Sequence, residues 1–273
     1  MTRTDELPAD LTDAQLSAAI AQEAGRALLE LRAGFGPITD HGRRRALMDA
    51  GDRLAEDLIA ARLAEHRPGD AVLSEEAPDS AARLTAGRVW IIDPLDGTSE
   101  FGQGRHDFAV HVALWQTQGE AGIGTLTDAT VDVPAVGETW RTDVASPAGP
   151  LPEDRPLRVV VSRSRPPAGL PDLLRAATAD LIEQGINAHG IEEANVGSVG
   201  AKLGEVMAGR AEAYLHPGGL NEWDLAAPYA CALAHGYIAL GPRQAFNRMP
   251  PKAGPVLIAH PAIADVLAAH WDG

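Results

Sequence analysis

The segment from Asp93 to Thr98 carries two carboxylates three residues apart, in the order Asp-Pro-Leu-Asp-Gly-Thr. It follows the apolar run Trp90-Ile91-Ile92, which predicts a strand that ends at the first aspartate. Because Pro94 cannot donate to a strand ladder and Gly97 favours a turn, we expect the two carboxylates to converge. The backbone N–H groups that follow them would then face an anion.

Carboxylates beside an anion site indicate divalent cations between the two, and Mg²⁺ fits best because it is a hard ion that prefers oxygen ligands. From their spacing alone, the two aspartates would more often form an ordinary Asx turn. Other acidic positions have comparable alternatives. Glu75-Glu76 could point into solvent, Asp52 could lie on a solvated helix face, and Asp224 could be a simple helix N-cap.

Several elements must position these side chains. Thr12 and Gln15 form the pattern of a capping box, which predicts a helix that ends at Gly34. We expect residues 34–45 to be a mobile loop before a second helix that ends at Pro68-Gly69. Alternation of β-forming residues predicts strands at 71–74, 88–93 and 108–115.

A proline-rich stretch at residues 146–156 contains four prolines and no hydrophobic periodicity. We therefore predict two halves, 1–150 and 151–273, with the boundary in this stretch. In the second half, strands at 157–161 and 213–215 alternate with helices after Pro171, from Val199 and from Asp224. A final helix is predicted near 262–270, and the alternation indicates an α/β fold.

Composition excludes several classes of protein. The chain has 273 residues and a formal net charge of −15, so its surface repels nucleic acid polymers and anionic membranes. The single cysteine, Cys231, excludes an internal disulfide and suits a reducing compartment. The N-terminus lacks the apolar region of a signal peptide. Residues 225–242 carry no charge, but Pro228 and Gly236 favour a buried helix, a turn and a strand over a membrane span. We expect a cytoplasmic protein.

The acidic motifs together resemble one known pattern. Glu75-Glu76, the segment from Asp93 to Thr98, a Gly197-Ser198 turn before a helix, and Trp223-Asp224 occur in the order found in the inositol monophosphatase superfamily of Mg²⁺-dependent, lithium-sensitive phosphatases. The resemblance covers nearly the whole chain after residue 12. Ser99-Glu100-Phe101, together with VLSEE and VSRSR, is similar to the CysQ-type branch, which acts on 3′-phosphoadenosine 5′-phosphate.

The resemblance implies a layered αβαβα sandwich and a homodimer. It also implies a phosphomonoesterase that uses two or three Mg²⁺ ions to remove the 3′-phosphate of 3′-phosphoadenosine 5′-phosphate in sulfate assimilation. The alternatives within the superfamily are inositol 1-phosphate and fructose 1,6-bisphosphate phosphatases. A metal-binding regulator without activity is a further alternative, which Thr98 argues against because such a protein has no need to position a water.

The resemblance also assigns roles to residues. The implied metal ligands are four carboxylates and one backbone carbonyl: Glu75, Asp93, Asp96, Asp224 and the carbonyl of Leu95. Asp52 would support a third, looser ion through water, together with Glu75. The catalytic groups would be Glu75, Thr98 and Asp52, with Thr98 and Glu75 orienting and deprotonating the attacking water. Two cations in such a site clamp the attacking and leaving oxygens.

Candidate substrate contacts combine a carboxylate, backbone amides, hydroxyls and the few basic side chains of the second half: Asp96, Gly97, Thr98, Ser162, Arg163, Ser198, Lys202 and His216. Arg163, Arg165 and Lys202 are candidates for the second phosphate of a bisphosphonucleotide. A solvated surface charge is an equal alternative for each arginine. His216 stands where inositol phosphatases present a glutamate, which argues against inositol, although a structural histidine is equally consistent.

Overall fold

The computed structural model describes residues 7–119, 123–240 and 246–271. Its helices in these residues are α1 (Asp13–Phe35), α2 (His41–His66), α3 (Thr98–Gly102), α4 (Leu170–Glu183), α5 (Val199–Met207), α6 (Glu222–Ala234) and α7 (Ala264–Ala268). Its strands are β1 (Ala71–Ser74), β2 (Arg88–Asp96), β3 (Ala109–Thr117), β4 (Gly124–Val133), β5 (Glu138–Arg141), β6 (Leu157–Ser162), β7 (Ile191–Val196), β8 (Ala213–His216), β9 (Leu220–Asn221), β10 (Ile238–Leu240), β11 (Lys252–Ala253) and β12 (Val256–Ala259).

The strands form two five-stranded sheets and one small two-stranded sheet. The first sheet has the order β1-β2-β3-β4-β5, with β1 parallel to β2 and the other pairs antiparallel. The second has the order β10-β12-β8-β6-β7, in which β6 runs parallel to both β7 and β8. The carboxyl ends of β6, β7 and β8 therefore lie at one edge, where α/β proteins commonly bind ligands.

Helices cover both sheets on both faces. Residues of α1 and α2 pack with Trp90 and Val112 on one face of the first sheet. The helices α5 and α6 fill the space between the sheets, where Leu203 and Leu225 share one core with Tyr214. The helices α4 and α7 cover the outer face of the second sheet. The predicted αβαβα sandwich is confirmed.

The first helix forms as its sequence predicts. The side chain of Thr12 accepts from the backbone of Gln15, and the side chain of Gln15 accepts from the backbone of Thr12. The helix continues one residue beyond the predicted end at Gly34 and stops before Gly36, whose φ of 72° is a left-handed conformation that glycine adopts without strain.

The predicted loop at 34–45 is wrong in its second part, because α2 begins at His41. Asp40 caps this helix by accepting from the backbone N–H of Arg43 at 2.8 Å. The Arg43 guanidinium also donates to the carbonyl of Phe35 at 2.7 Å. Composition suggested a loop because these arginines contribute no apolar periodicity, whereas the helix end is stabilised by a cap.

The other predicted elements are present with shifted bounds. The strand predicted at 88–93 continues to Asp96, and the strand predicted at 108–115 is β3. Of residues 225–242, the described part forms α6, a turn at Gly236 and β10, as predicted, while residues 241–242 lie outside the described residues. Within the described residues, no helix is both long enough and apolar enough to cross a membrane.

Candidate active site

A bulge in β2 brings the two aspartates of the motif onto one face of the first sheet. Asp93 pairs with His111 of β3 and Asp96 pairs with Ala109, so two residues of β2, Pro94 and Leu95, lie opposite one residue of β3. In a regular strand side chains alternate between the two faces of the sheet, so two residues that are three positions apart, such as Asp93 and Asp96, would point to opposite faces. The extra residue, next to Pro94, restores the same side for both carboxylates. Both therefore face the space between the two sheets.

The turn after the bulge depends on Gly97. Its φ is 87°, and a Cβ there would lie 3.0 Å from both the carbonyl oxygen of Asp107 and the Cβ of Ser198. Glycine is thus required both by the backbone conformation and by the space. The turn leads into α3, where the hydroxyl of Thr98 lies 3.0 Å from the carbonyl oxygen of Leu95 and 3.3 Å from Asp52 Oδ1. Two predicted catalytic side chains, on α2 and α3, are thus in contact.

Three of the predicted metal ligands meet in one cluster. Glu75 follows β1, Asp93 lies on β2, and Asp224 lies in the first turn of α6, and one carboxylate oxygen of each is within 4.8 Å of the others. Asp93 is 1% exposed, and its Oδ2 has no hydrogen-bond partner within residues 7–119, 123–240 and 246–271. A buried carboxylate oxygen without a donor is costly unless it binds a cation.

The electrostatics of the cluster favour a cation as well. Burial, followed by repulsion from Asp224 and Asp96, raises the pKa of Glu75 to about 7. Burial and repulsion from Asp96 raise the pKa of Asp224 to about 6, and the pKa of Asp93 lies well above its usual value for similar reasons. Mutual repulsion of this kind is relieved when a divalent cation binds between the carboxylates. The residues present therefore fit divalent cations.

Asp96 has a different environment from its neighbours. Its Oδ2 accepts from Ser198 Oγ at 2.5 Å and from the backbone N–H of Gly200 at 2.7 Å, and His111 Nε2 lies 3.3 Å away. Although burial opposes ionisation, His111 and these two hydrogen bonds hold the pKa of Asp96 below its usual value. The start of α5 thus fixes one oxygen of Asp96 in its charged form.

Glu76 and Asp52 form a second acidic region next to the cluster. Burial and then repulsion from Glu76 raise the pKa of Asp52 to about 7. Glu56 accepts from the hydroxyl of Ser74 at 2.6 Å, and Glu76 also raises its pKa after burial does. Glu75 therefore joins the Asp93 cluster, while Glu76 influences the carboxylates of α2. Sequence alternation could not distinguish these two neighbours.

Two predicted substrate contacts already have partners within the protein. The Arg163 guanidinium lies 2.7 Å from Asp107 Oδ2 and 3.2 Å from Glu100 Oε1. Lys202 is 2% exposed, and its Nζ donates to the backbone carbonyl of Gly197 at 2.5 Å. Burial lowers the pKa of Lys202 to about 8. Both side chains are therefore engaged within the protein in this structure.

Arg165 is a basic side chain whose charge acts on Asp224 of the cluster. It is exposed, and in the part of the chain that the structure describes its guanidinium has no ion pair or hydrogen bond. Its charge helps to hold down the pKa of Asp224, against burial and repulsion from Asp96, which act to raise it. His216 is 2% exposed, and burial, with lesser contributions from Lys202 and Arg165, lowers its pKa to about 4.

The two serines predicted as substrate contacts lie in different environments. Ser198 contacts Asp96, as described above, whereas Ser162 Oγ accepts from the backbone N–H of Arg165 at 3.3 Å. His216 Nδ1 accepts from the backbone N–H of Gly218 at 3.1 Å, which gives this histidine a structural contact at the end of β8.

Sequence reasoning missed His111 and Tyr214. His111 interrupts the apolar strand β3 and is fully buried, so a polar residue on the inner face of an apolar strand was the available signal. The Tyr214 hydroxyl is buried and lacks a hydrogen-bond partner among the described residues. Burial, and then Asp96 and Asp224, raise its pKa well above the usual value.

The sequence of the chain is similar to those of known phosphatases. The model of the inositol monophosphatase family matches residues 11–272. A "3′-phosphoadenosine 5′-phosphate phosphatase" of Mycobacterium leprae is 46% identical over 269 residues, which is 95% of this chain and 93% of that protein. A "3′(2′),5′-bisphosphate nucleotidase CysQ" of Escherichia coli is 30% identical over 225 residues, which is 80% of this chain and 85% of that protein.

A solved structure shares the fold. CysQ from Bacteroides thetaiotaomicron, described as a bacterial member of the inositol monophosphatase family, superimposes with a TM-score of 0.70 at 24% identity. The match covers 91% of this chain and 97% of that one.

Proposed function

The chain belongs to the inositol monophosphatase family, and we propose that it removes the 3′-phosphate of 3′-phosphoadenosine 5′-phosphate in a Mg²⁺-dependent reaction. The observation that carries this proposal is the cluster of Glu75, Asp93 and Asp224, in which one carboxylate oxygen of each lies within 4.8 Å of the others, close to the turn at Gly97. The relatives named as phosphatases make the chain a phosphoric monoester hydrolase, and their names narrow the substrate to a bisphosphonucleotide.

The unpartnered Asp93 oxygen and the repulsion within the cluster support a site for two or three Mg²⁺ ions. The ligands would be Glu75, Asp93, Asp96, Asp224 and the carbonyl of Leu95. Bound cations supply the positive charge that an attacking water and a leaving oxygen need. Asp96 offers them only one oxygen freely, because Ser198 and Gly200 bind the other.

Thr98 and Asp52 would position the water. The Thr98 hydroxyl has two acceptors within 3.3 Å, Asp52 and the Leu95 carbonyl, so it donates its proton to one of them. Its oxygen then accepts a hydrogen bond from the water and fixes its orientation. Glu75 would take the proton, as a carboxylate at the rim of the cluster. The amides of Gly97 and Thr98 would face the phosphate.

Arg165 would bind the second phosphate of the substrate. It carries a full positive charge, is exposed, and acts on Asp224 and His216 electrostatically. Arg163 is less suitable because two carboxylates already bind it. A buried, neutral His216 with one nitrogen committed to Gly218 would contact the sugar through its other nitrogen.

We also propose that residues 1–150 contribute most of the metal ligands and the amides that face the reacting phosphate, and that residues 151–273 contribute Asp224 and the contacts with the rest of the substrate. A homodimer and a cytoplasmic location are part of the same proposal. The family resemblance supports the homodimer. The buried Cys231 and the net charge of −15 suit a reducing compartment without nucleic acid or membrane partners.

Phosphate release from a panel of substrates tests the proposed function. The panel contains 3′-phosphoadenosine 5′-phosphate, 3′-AMP, inositol 1-phosphate and fructose 1,6-bisphosphate, each with Mg²⁺ and with EDTA. We expect the highest kcat/KM for 3′-phosphoadenosine 5′-phosphate and no turnover in EDTA. Equal kcat/KM for inositol 1-phosphate would favour an inositol phosphatase. Metal binding without hydrolysis of any substrate would favour a regulator.

A further inference from the structure

A pocket of about 400 Å³ lies between the loops that follow β6 and β8, the start of α4 and the residues after α7. We call it the Trp271 pocket. Its walls include two prolines, an aliphatic side chain, an alanine and two aromatic rings: Pro167, Pro217, Leu173, Ala176, His270 and Trp271. Its volume is within the range of small-molecule sites.

Two walls of the pocket, Pro167 and Pro217, follow closely in the chain on two candidate substrate contacts, Arg165 and His216. Because β6 and β8 are parallel and in register at Val159 and Ala213, the chain leaves both strands at the same edge of the sheet. Consecutive Cα atoms are about 3.8 Å apart, so Pro217 lies directly beside His216, and Pro167 lies within about 8 Å of Arg165 along the chain. Arg165, whose charge acts on both Asp224 and His216, and His216 itself therefore lie one or two residues from the pocket walls.

Two polar side chains of the pocket are already engaged, whereas the buried Trp271 Nε1 has no hydrogen-bond partner among the described residues. His270 Nε2 lies 2.8 Å from Asp180 Oδ2, and Asp172 accepts from Arg175 at 2.6 Å. A polyol such as inositol would lose hydrogen bonds to water there and gain few in return. A planar ring gains from burial against apolar walls and from stacking on an aromatic side chain. Asp172 also disfavours a phosphate in the pocket.

We propose that the Trp271 pocket holds the nucleobase of the substrate and so selects nucleotides over sugar and inositol phosphates. The proposal rests on the proposed function, since the 3′-phosphate must lie at the carboxylate cluster. Arg165, which acts on Asp224 and precedes the pocket wall Pro167 by two residues, would then meet the 5′-phosphate, and the base would extend past Pro217. Trp271 becomes a specificity-determining residue outside the acidic motifs.

Two opposite substitutions test the pocket. Ala176→Phe fills it, and Trp271→Ala removes its larger ring. Both should raise the KM for 3′-phosphoadenosine 5′-phosphate and the inhibition constant of the product 5′-AMP, by roughly 5–150-fold, the range found for stacking of one base on an aromatic side chain. The inhibition constant of inorganic phosphate, which has no base, should stay within about twofold of the wild-type value.

Matched variants separate binding from folding. Ala179→Phe places the same ring at an exposed position of α4 outside the pocket lining and should change neither constant. Trp271→Phe keeps an aromatic ring and should restore most of the affinity lost in Trp271→Ala. Melting temperatures show whether each variant is folded. If Trp271→Ala does not fold, Ala176→Phe alone tests the pocket.

The outcomes distinguish this proposal from the proposed function. If Ala176→Phe leaves 5′-AMP inhibition unchanged, or weakens phosphate and 5′-AMP inhibition equally, the base does not bind in the Trp271 pocket. The proposed function would still stand in that case, provided that the wild type prefers 3′-phosphoadenosine 5′-phosphate. Failure of the wild type to hydrolyse that substrate would overturn both.

Discussion

Replacing Arg165 by alanine should reduce the advantage of 3′-phosphoadenosine 5′-phosphate over 3′-AMP. The two substrates differ only in the 5′-phosphate, so the ratio of their kcat/KM values measures the contact with that group. A hydrogen bond to a charged group contributes about 1.5–3 kcal/mol, which corresponds to roughly 10–150-fold. Because Arg165 has no partner of its own within the described residues, little of this free energy is offset by a broken ion pair.

The assay is phosphate release from both substrates at saturating Mg²⁺, with Arg163→Ala as the matched control. Arg163 is also an arginine and lies two positions before Arg165, but it forms ion pairs with Glu100 and Asp107. Its removal should change both substrates by the same factor and lower stability by about 1 kcal/mol or less, since the guanidinium is partly exposed. Arg165→Lys keeps the charge and should retain part of the advantage.

Arg165 would not be the contact if Arg163→Ala reduced the ratio of the two kcat/KM values and Arg165→Ala left that ratio unchanged. The ion pairs of Arg163 would then have to open when substrate binds, and the geometry of the free protein would be a poor guide to the second phosphate. A loss of activity in Arg165→Ala that is equal for both substrates would also contradict the contact.

Three further predictions concern metal and pH. Asp96→Asn should lower kcat by at least about 100-fold at saturating Mg²⁺, because the charge that binds the cation is lost; near wild-type turnover would contradict this. Li⁺ should inhibit on the order of tens of millimolar by competing at Asp93, Asp96 and Asp224, and insensitivity there would argue against this use of the site. Burial raises the pKa of Asp132 to about 6, so the folded state binds more protons than the unfolded state between about pH 4 and 6, and stability falls as pH rises. The free energy of unfolding of Asp132→Asn, measured with denaturant, should therefore rise relative to that of the wild type by up to about 3 kcal/mol between pH 4 and pH 7. Parallel pH profiles of the unfolding free energy for the two proteins would refute this prediction.

Local signals in the sequence predicted much of what positions the site. The Thr12 capping box, the apolar run before Asp93 and the Gly97 turn each depend on neighbouring residues, and each is present in the structure. Strands such as β4 and β7 were not predicted. The first residues of β4 and all of β7 have no fully buried face, so their strand pairing is decided by distant partners rather than by a local pattern.

The side-chain partners of the site could be predicted less well than its motifs. Nothing near Arg163 in the sequence indicates Asp107, which is brought to it by the return of the chain into β3. Likewise, Lys202 follows a helix start that suggested an anion site, but tertiary packing buries it against the carbonyl of Gly197. Arg165, only two residues beyond Arg163, differs from it because no carboxylate among the described residues lies within ion-pair distance of its guanidinium.

One extra residue in β2 places two repelling carboxylates on the same face, which opposes folding and at the same time creates the cation site. Without the bulge at Pro94, Asp96 would point toward the α1 and α2 layer, where Val110 and Val112 face an apolar core. With it, Asp93 and Asp96 both face α5 and α6. A protein without a cation would gain stability by replacing one of them, because two buried, repelling carboxylates oppose folding. Their retention on one face, beside an oxygen of Asp93 that no described donor satisfies, is therefore explained by a bound cation and not by packing.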